Sequence, residues 1–139
     1  MIDMMEINVS WAGKMAFEAV EGDKKVVMDA MPEKGGEGKG LSPKKLLLSS
    51  LAGCTSMDVI AILRKMRVTP DYFNVKVEAT SNEEHPIYFT HIKLIYQFKG
   101  EKLSKEKLEK AVSLSQERYC GISYMLGKAS DISYEVVLL

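Results

Sequence analysis

The chain is poor in the residues that build cross-links and metal sites. Its 139 residues include only two cysteines, two histidines and three arginines. Two cysteines are too few for a disulfide scaffold. Neither His85 and His91 nor the cysteines show Cys-X-X-Cys or His-X-X-X-His spacing, so we expect no metal site. We also expect no cofactor, since Gly38-Lys39-Gly40 lacks the flanking residues of a phosphate-binding loop.

Net charge and a basic leader are also lacking. Lysine plus arginine and aspartate plus glutamate are balanced at 19 each, which argues against nucleic acid as a partner. The first segment, "MIDMMEINVSW", is acidic and alternating, so we predict no signal peptide and a cytoplasmic location. There both thiols are expected to be reduced unless redox chemistry is their task.

A single long apolar run is present, "LLLSSLAGCTSMDVIAIL" at residues 46–63. Its length is marginal for about 30 Å of hydrocarbon. Asp58 inside a bilayer would cost roughly 2.5–3.5 kcal/mol. We therefore predict a buried helix and no membrane association.

That helix should begin at Ser42-Pro43, a capping hydroxyl followed by proline at the first helical position, and end near Met66. Its first two thirds are apolar on nearly every side, so it needs cover all round. One chain of this size has few elements left to supply that cover. We infer that a partner subunit packs against it.

The remaining pattern indicates six strands and two or three helices in the order βββ-α-ββ-α-(α)-β. This order is typical of an α+β fold in a single domain, residues 1–139. A three-stranded antiparallel meander comes first, and the face formed by Met5, Ile7, Val9 and Trp11 should be half-buried. The predicted elements are strands 5–11, 15–20, 26–30, 72–80, 87–98 and 132–138, a helix from Ser104 to about Tyr119, and a short helix within 120–129.

Cys54 lies on one helical stripe with Ser50 at i−4 and Asp58 at i+4. Buried, inert cysteines are common, and an ionised Asp58 would raise the thiol pKa, so a reactive Cys54 needs a cation from elsewhere. Cys120 precedes Gly121 at a predicted turn. From the residues alone, Cys120 is either a resolving cysteine or a structural neighbour.

Two motifs resemble the OsmC/Ohr superfamily. "LSPKKLLLSSLAGCTSMDV" is similar to its signature helix, and "ERYCGISYML" is similar to its second cysteine motif. The element order matches as well, so the resemblance covers nearly the whole chain. It implies an intertwined homodimer with antiparallel sheets wrapped around long central helices. It also implies that Cys54 attacks an organic hydroperoxide, that Cys120 then forms a disulfide with it, and that a dithiol reductant restores both.

Three positions depart from the family pattern. Lys44 stands where active peroxidases carry glutamate, Gly121 replaces a proline, and no arginine lies in the first hairpin. Lys14 is the nearest substitute, but an ammonium cannot reproduce a planar guanidinium. The chain thus looks more like the less characterised OsmC-like branch. Hydroperoxide reduction in stress defence is the leading hypothesis. A redox sensor, a binder of lipophilic small molecules or purely structural cysteines are the alternatives.

Overall fold

A computed structural model of the protein describes residues 3–139. The chain forms two compact units, Met1–Leu48 and Ser49–Leu139. The expectation of a single domain stays a prediction.

The first unit contains a three-stranded antiparallel sheet. Its strands are β1 (Asn8–Trp11), β2 (Phe17–Glu21) and β3 (Lys24–Met28), paired in that order. The predicted meander is therefore confirmed, although β1 begins at Asn8 and not at Met5. The Trp11 indole N–H donates to the Lys14 carbonyl at 2.8 Å across the first turn.

The predicted half-buried face of β1 is wrong for the described protomer. Met5 lies outside the strand and is 95% exposed, and Trp11 is 69% exposed. Ile7 and Val9 are also exposed. Alternation predicted correctly which strand residues share a face, but within residues 3–139 nothing buries that face.

The glycine-rich segment after β3 is organised by a buried carboxylate. Asp29 is 4% exposed and accepts backbone N–H bonds from Ala30, Glu37 and Lys39 at 2.7, 3.2 and 3.1 Å. A Cβ atom at Gly36 would collide with the Ala30 carbonyl, so this close approach requires glycine. The segment is thus a folded loop with one short 3₁₀ turn, Pro32–Lys34.

Helix α1 (Pro43–Lys65) begins and ends almost where the sequence predicts. The Lys45 N–H donates to Ser42 Oγ at 3.4 Å, as expected of a cap. Only Leu51, Thr55, Val59 and Leu63 are buried, whereas Met57 is 77% exposed. Among residues 3–139, α1 alone is long and apolar enough to cross a membrane, a test that core helices of soluble proteins also pass.

The second unit contains a mixed sheet of β4 (Tyr72–Ser81), β5 (Phe89–Lys99) and β6 (Asp131–Leu138), in that order. Strands β4 and β5 are antiparallel, but β5 and β6 run parallel. A parallel pair needs a long crossover, which the helices after β5 provide. The predicted inner face of β5 is confirmed and buried: Ile92, Leu94, Tyr96 and Phe98.

The crossover is not one continuous helix to Tyr119. Helix α2 (Lys105–Leu114) is capped by Ser104 Oγ, and its last turn widens into a π-helical segment, Ser115–Tyr119. Helix α3 (Gly121–Leu126) follows. Widened turns of this kind are frequent at functional sites, and this one places Cys120 at the break between two helices.

Candidate functional site

Two sulfur atoms from distant parts of the second unit meet. Cys54 lies in the middle of α1, and Cys120 lies 66 positions later at the start of α3. Their Sγ atoms and a carboxylate oxygen of Asp58 all lie within 4.8 Å of one another. Both thiols are free. The sequence left this proximity open, and the structure shows it.

Local backbone geometry holds the two thiols. The Cys120 N–H donates to the Ser115 carbonyl at 2.7 Å, which closes the widened turn. The Ser123 N–H donates to Cys120 Sγ at 3.3 Å, and the Ile122 N–H donates to the Cys54 sulfur. Cys120 is 3% exposed, whereas Cys54 is half-buried. Cys54 is therefore the more accessible of the two sulfurs.

The surroundings of Cys54 favour its protonated form. Burial raises the pKa of the Cys54 thiol most, and a hydrogen bond with Cys120 and the charge of Asp58 raise it further. The amide of Ile122 acts in the opposite direction. The charge of Asp58 thus acts against the Cys54 thiolate, as the sequence predicted.

A chain of hydrogen bonds links β5 to the Asp58 carboxylate. Gln116 Nε2 lies 2.6 Å from the Tyr96 hydroxyl, which lies 2.7 Å from Thr55 Oγ1. Thr55 Oγ1 lies 2.7 Å from Ser115 Oγ, which donates to Asp58 Oδ2 at 3.0 Å. Tyr96, Thr55 and Ser115 are completely buried.

Counting protons assigns one direction to this chain. Each hydroxyl has a single proton, and Ser115 uses its own toward Asp58, so Thr55 must donate to Ser115. Tyr96 then donates to Thr55 and accepts from Gln116. Burial raises the pKa of Tyr96, which keeps this hydroxyl protonated and able to donate. Every donor therefore points toward the carboxylate.

One buried hydroxyl next to Cys120 makes no hydrogen bond within the described chain. Ser123 Oγ is the side-chain oxygen that, within the described chain, is buried without a hydrogen-bond partner. Ser123 lies in the same helical turn as Cys120. A buried polar atom without a partner is uncommon in folded proteins.

Two sulfurs and one carboxylate could also provide three ligands to a soft divalent cation. The sequence predicted no metal site because these three residues show no short-range ligand spacing, and they come together only on folding. Sequence reasoning also missed Thr55, Tyr96, Ser115 and Gln116. No local signal marks them, because their partners lie 20 to 61 residues away.

The fold and the cysteine pair together define a class of protein. The family model for OsmC-like proteins matches residues 36–135, well over half of the chain. The chain therefore belongs to the OsmC-like family, as the two motifs predicted.

Relatives agree with this assignment. The protein YhfA of Escherichia coli K12 is 37% identical over 138 residues, covering 96% of this chain and 98% of YhfA. A protein from Aquifex aeolicus VF5 has a similar crystal structure, with a TM-score of 0.83, 28% identity and 99% of both chains covered. The organic hydroperoxide resistance protein OhrB of Bacillus subtilis has a TM-score of 0.68 at 16% identity, covering 96% of this chain and 98% of its own, and so shares the fold.

Proposed function

We propose that this protein reduces organic hydroperoxides with Cys54 and Cys120 as its redox-active pair. The observation that carries the proposal is the approach of the two sulfur atoms to within 4.8 Å. Membership of the OsmC-like family supports it, as does the fold shared with a protein named for organic hydroperoxide resistance.

Cys54 is the more accessible of the two thiols, so it is the one that a peroxide can reach first. Cys54 sulfur attacks the distal peroxide oxygen, the O–O bond breaks, and the products are Cys54 sulfenic acid and an alcohol. Cys120 then attacks the sulfenic sulfur, so that a disulfide forms and water leaves. Cys120 is nearly inaccessible, which restricts its reaction to a partner already inside the site.

We propose a small dithiol as the reductant, as the resemblance to the OsmC/Ohr superfamily implies. Two successive thiol–disulfide exchanges return both cysteines to the thiol state and convert the dithiol to its own disulfide. Cys54 is the sulfur that such a reductant can reach first, because it is the more exposed.

We also propose that the protein is a homodimer in the cytoplasm. Met57 and Leu47 on α1 are exposed within the protomer, as are the apolar side chains of β1. Exposed apolar residues in such number are typical of a surface that another chain covers. Light scattering at micromolar concentration tests this, and a monomer there would contradict it.

A second candidate function is the non-enzymatic binding of a lipophilic molecule. The first unit has an open cleft of about 700 Å³ that is mainly apolar, with Val9, Phe17, Met28 and Leu41 among its lining residues. The raised pKa of Cys54 also favours this alternative, because a protonated thiol reacts slowly.

Thiol counting separates the two functions. One equivalent of cumene hydroperoxide should remove two thiols per chain within seconds to minutes, and catalytic amounts of protein should consume excess peroxide when a dithiol is supplied. Cys54→Ser should abolish both effects. Cys120→Ser should leave a sulfenic acid at Cys54 that dimedone traps. Slow oxidation that is equal in the wild type and in Cys54→Ser would reject the peroxidase and favour the binder.

A further inference from the structure

Asp58 is the one charged side chain in the cluster of Cys54, Asp58 and Cys120, and the attack of sulfur on the peroxide does not by itself use it. It lies one helical turn after Cys54 and shares its face of α1. One of its oxygens is within 4.8 Å of both sulfurs. That separation suits proton exchange through a single bridging water or after a small closure on substrate binding.

The carboxylate is held in place more firmly than a surface aspartate would be. Ser115 Oγ donates to Oδ2, and Thr55 and Tyr96 continue the chain from completely buried positions. A buried chain of this length fixes one orientation of its members. A carboxylate has two oxygens, so the bond from Ser115 leaves acceptor capacity for a proton from the thiols.

The chemistry needs a proton carrier at this place. The Cys54 thiol must lose its proton as sulfur attacks, and the alkoxide released from the peroxide must gain one. An arginine beside the thiol could remove the first need, but the three arginines of the chain are Arg64, Arg67 and Arg118, and none contributes to the principal influences on Cys54.

We propose that Asp58 carries this proton, accepting it from the Cys54 thiol and returning it to the leaving alkoxide. The inference rests on the proposed function and adds a residue to it. Ser115 and Thr55 are positioning residues, since they act only through the Asp58 carboxylate.

The step balances without another reactant. As the Cys54 S–O bond forms and the O–O bond breaks, the thiol proton moves to Asp58, sulfur is oxidised by two electrons and the peroxide is reduced. Asp58 then protonates the alkoxide and is ionised again. Because its carboxylate also lies within 4.8 Å of the Cys120 sulfur, it can repeat the transfer when the second thiol displaces water from the sulfenic acid.

If Asp58 acted on Cys54 only through its charge, neutralising it would speed the reaction with peroxide. If Asp58 carries the proton, neutralising it should slow that reaction. Its charge disfavours the Cys54 thiolate, so Asp58→Asn should increase the thiolate fraction. Iodoacetamide reacts with the preformed thiolate and releases iodide, which needs no proton. Cumene hydroperoxide releases an alkoxide, which does. The two reagents therefore separate the proton carrier from the charge.

The experiment compares both rates at Cys54 in a Cys120→Ser background, after chelator treatment to remove any bound cation. With Asp58→Asn added, we expect alkylation to become several-fold faster and oxidation by cumene hydroperoxide at least about tenfold slower, since positioned proton transfer typically contributes 10²–10⁴ in rate. Asp71→Asn, which removes an exposed carboxylate, is the matched control and should change neither rate.

Each other outcome has a defined meaning. If both rates rise, or neither changes, Asp58 carries no proton and the inference is overturned. If both rates fall, Asp58 is only structural, and the inference is overturned as well. If the Cys120→Ser protein with Asp58 intact is not oxidised at all, the proposed function fails, and the inference fails with it.

Discussion

The two three-stranded sheets share one sequence pattern and differ in what covers them. Along β5, Ile92, Leu94, Tyr96 and Phe98 lie at every second position and are completely or almost completely buried, and two of the three residues between them are polar. Along β1, Val9 and Trp11 alternate with polar residues in the same way and remain exposed. The difference teaches that alternation determines which side chains share a face, whereas burial depends on what packs against that face.

The comparison assigns different energetic roles to the two faces. The β5 face stabilises the second unit within one protomer. The β1 face gains stabilisation only if another chain covers it, as we propose for the homodimer. Substitutions should therefore separate protomer stability from association.

The largest effect is expected from truncating the core of the second sheet. Phe98 is completely buried and stacks on Phe73 with ring centroids 4.5 Å apart. Phe98→Ala should cost about 3–5 kcal/mol of unfolding free energy, because it leaves a cavity. Denaturant unfolding measures this, with Phe98→Leu as the milder control.

The equivalent truncation on the first sheet should behave differently. Trp11→Ala removes the hydrogen bond to the Lys14 carbonyl and should lower the stability of a dilute sample by no more than about 1.5 kcal/mol. At protein concentrations where the proposed homodimer forms, the same substitution should weaken the association of the two chains. A loss that equals that of Phe98→Ala and does not depend on concentration would contradict the comparison.

A smaller effect is expected from the buried hydroxyl chain of the second unit. Thr55→Val keeps the shape of the side chain but removes one hydrogen bond from each of the buried hydroxyls of Tyr96 and Ser115, which should cost about 1–3 kcal/mol. Ser10→Ala, an exposed change on β1, is the matched control and should be close to neutral. Equal unfolding midpoints for the two variants would show that the chain does not stabilise the unit.

In the first unit the corresponding polar anchor is Asp29, and it should make the loop sensitive to acid. Backbone N–H bonds, that of Lys39 foremost, hold the pKa of Asp29 below its ordinary value. A lowered folded-state pKa contributes stability above the ordinary aspartate pKa, and this contribution is lost as pH falls through the folded value. Asp29→Asn should thus be less stable than the wild type at pH 7.

Thermal unfolding as a function of pH measures that contribution. The difference between the wild type and Asp29→Asn should shrink steadily below about pH 4, where unfolded aspartate begins to bind protons. A difference that stays constant from pH 7 to pH 2 would show that the carboxylate charge is not involved.

The smallest effect concerns the reactivity of Cys54. Burial, the hydrogen bond with Cys120 and the charge of Asp58 raise the pKa of Cys54. The rate of its alkylation at pH 7 should therefore be lower than that of a free cysteine, and the rate should still be rising at pH 9. The pH dependence of iodoacetamide labelling tests this. A plateau below pH 8 would mean that a cation not among these influences reaches the thiol.

Much of the fold could be predicted from the sequence because local signals coincide with the elements. Ser42-Pro43 marks the start of α1, and Ser104 marks the start of α2. The widened turn at Ser115 could not be predicted, since it depends on contacts with Thr55 and Asp58 of α1. The parallel pairing of β5 and β6 could not be predicted either, since it depends on how the chain returns to the sheet after the helices between them.

The candidate site, like the fold, could be predicted only where local signals in the sequence mark its residues. Cys54, Cys120 and the effect of Asp58 on the thiol could be reached from helical spacing and the family resemblance. The approach of the two sulfurs and the hydroxyl chain could not, because they join residues that are 20 to 66 positions apart. Spacing rules for metal or redox motifs do not extend over such separations.

Peptide mapping under non-reducing conditions tests the central claim most directly. After one equivalent of cumene hydroperoxide, the account predicts that peptides containing Cys54 and Cys120 are joined by an intrachain disulfide, and that Cys54→Ser yields none. Rapid oxidation that leaves the two cysteines in separate peptides would contradict it.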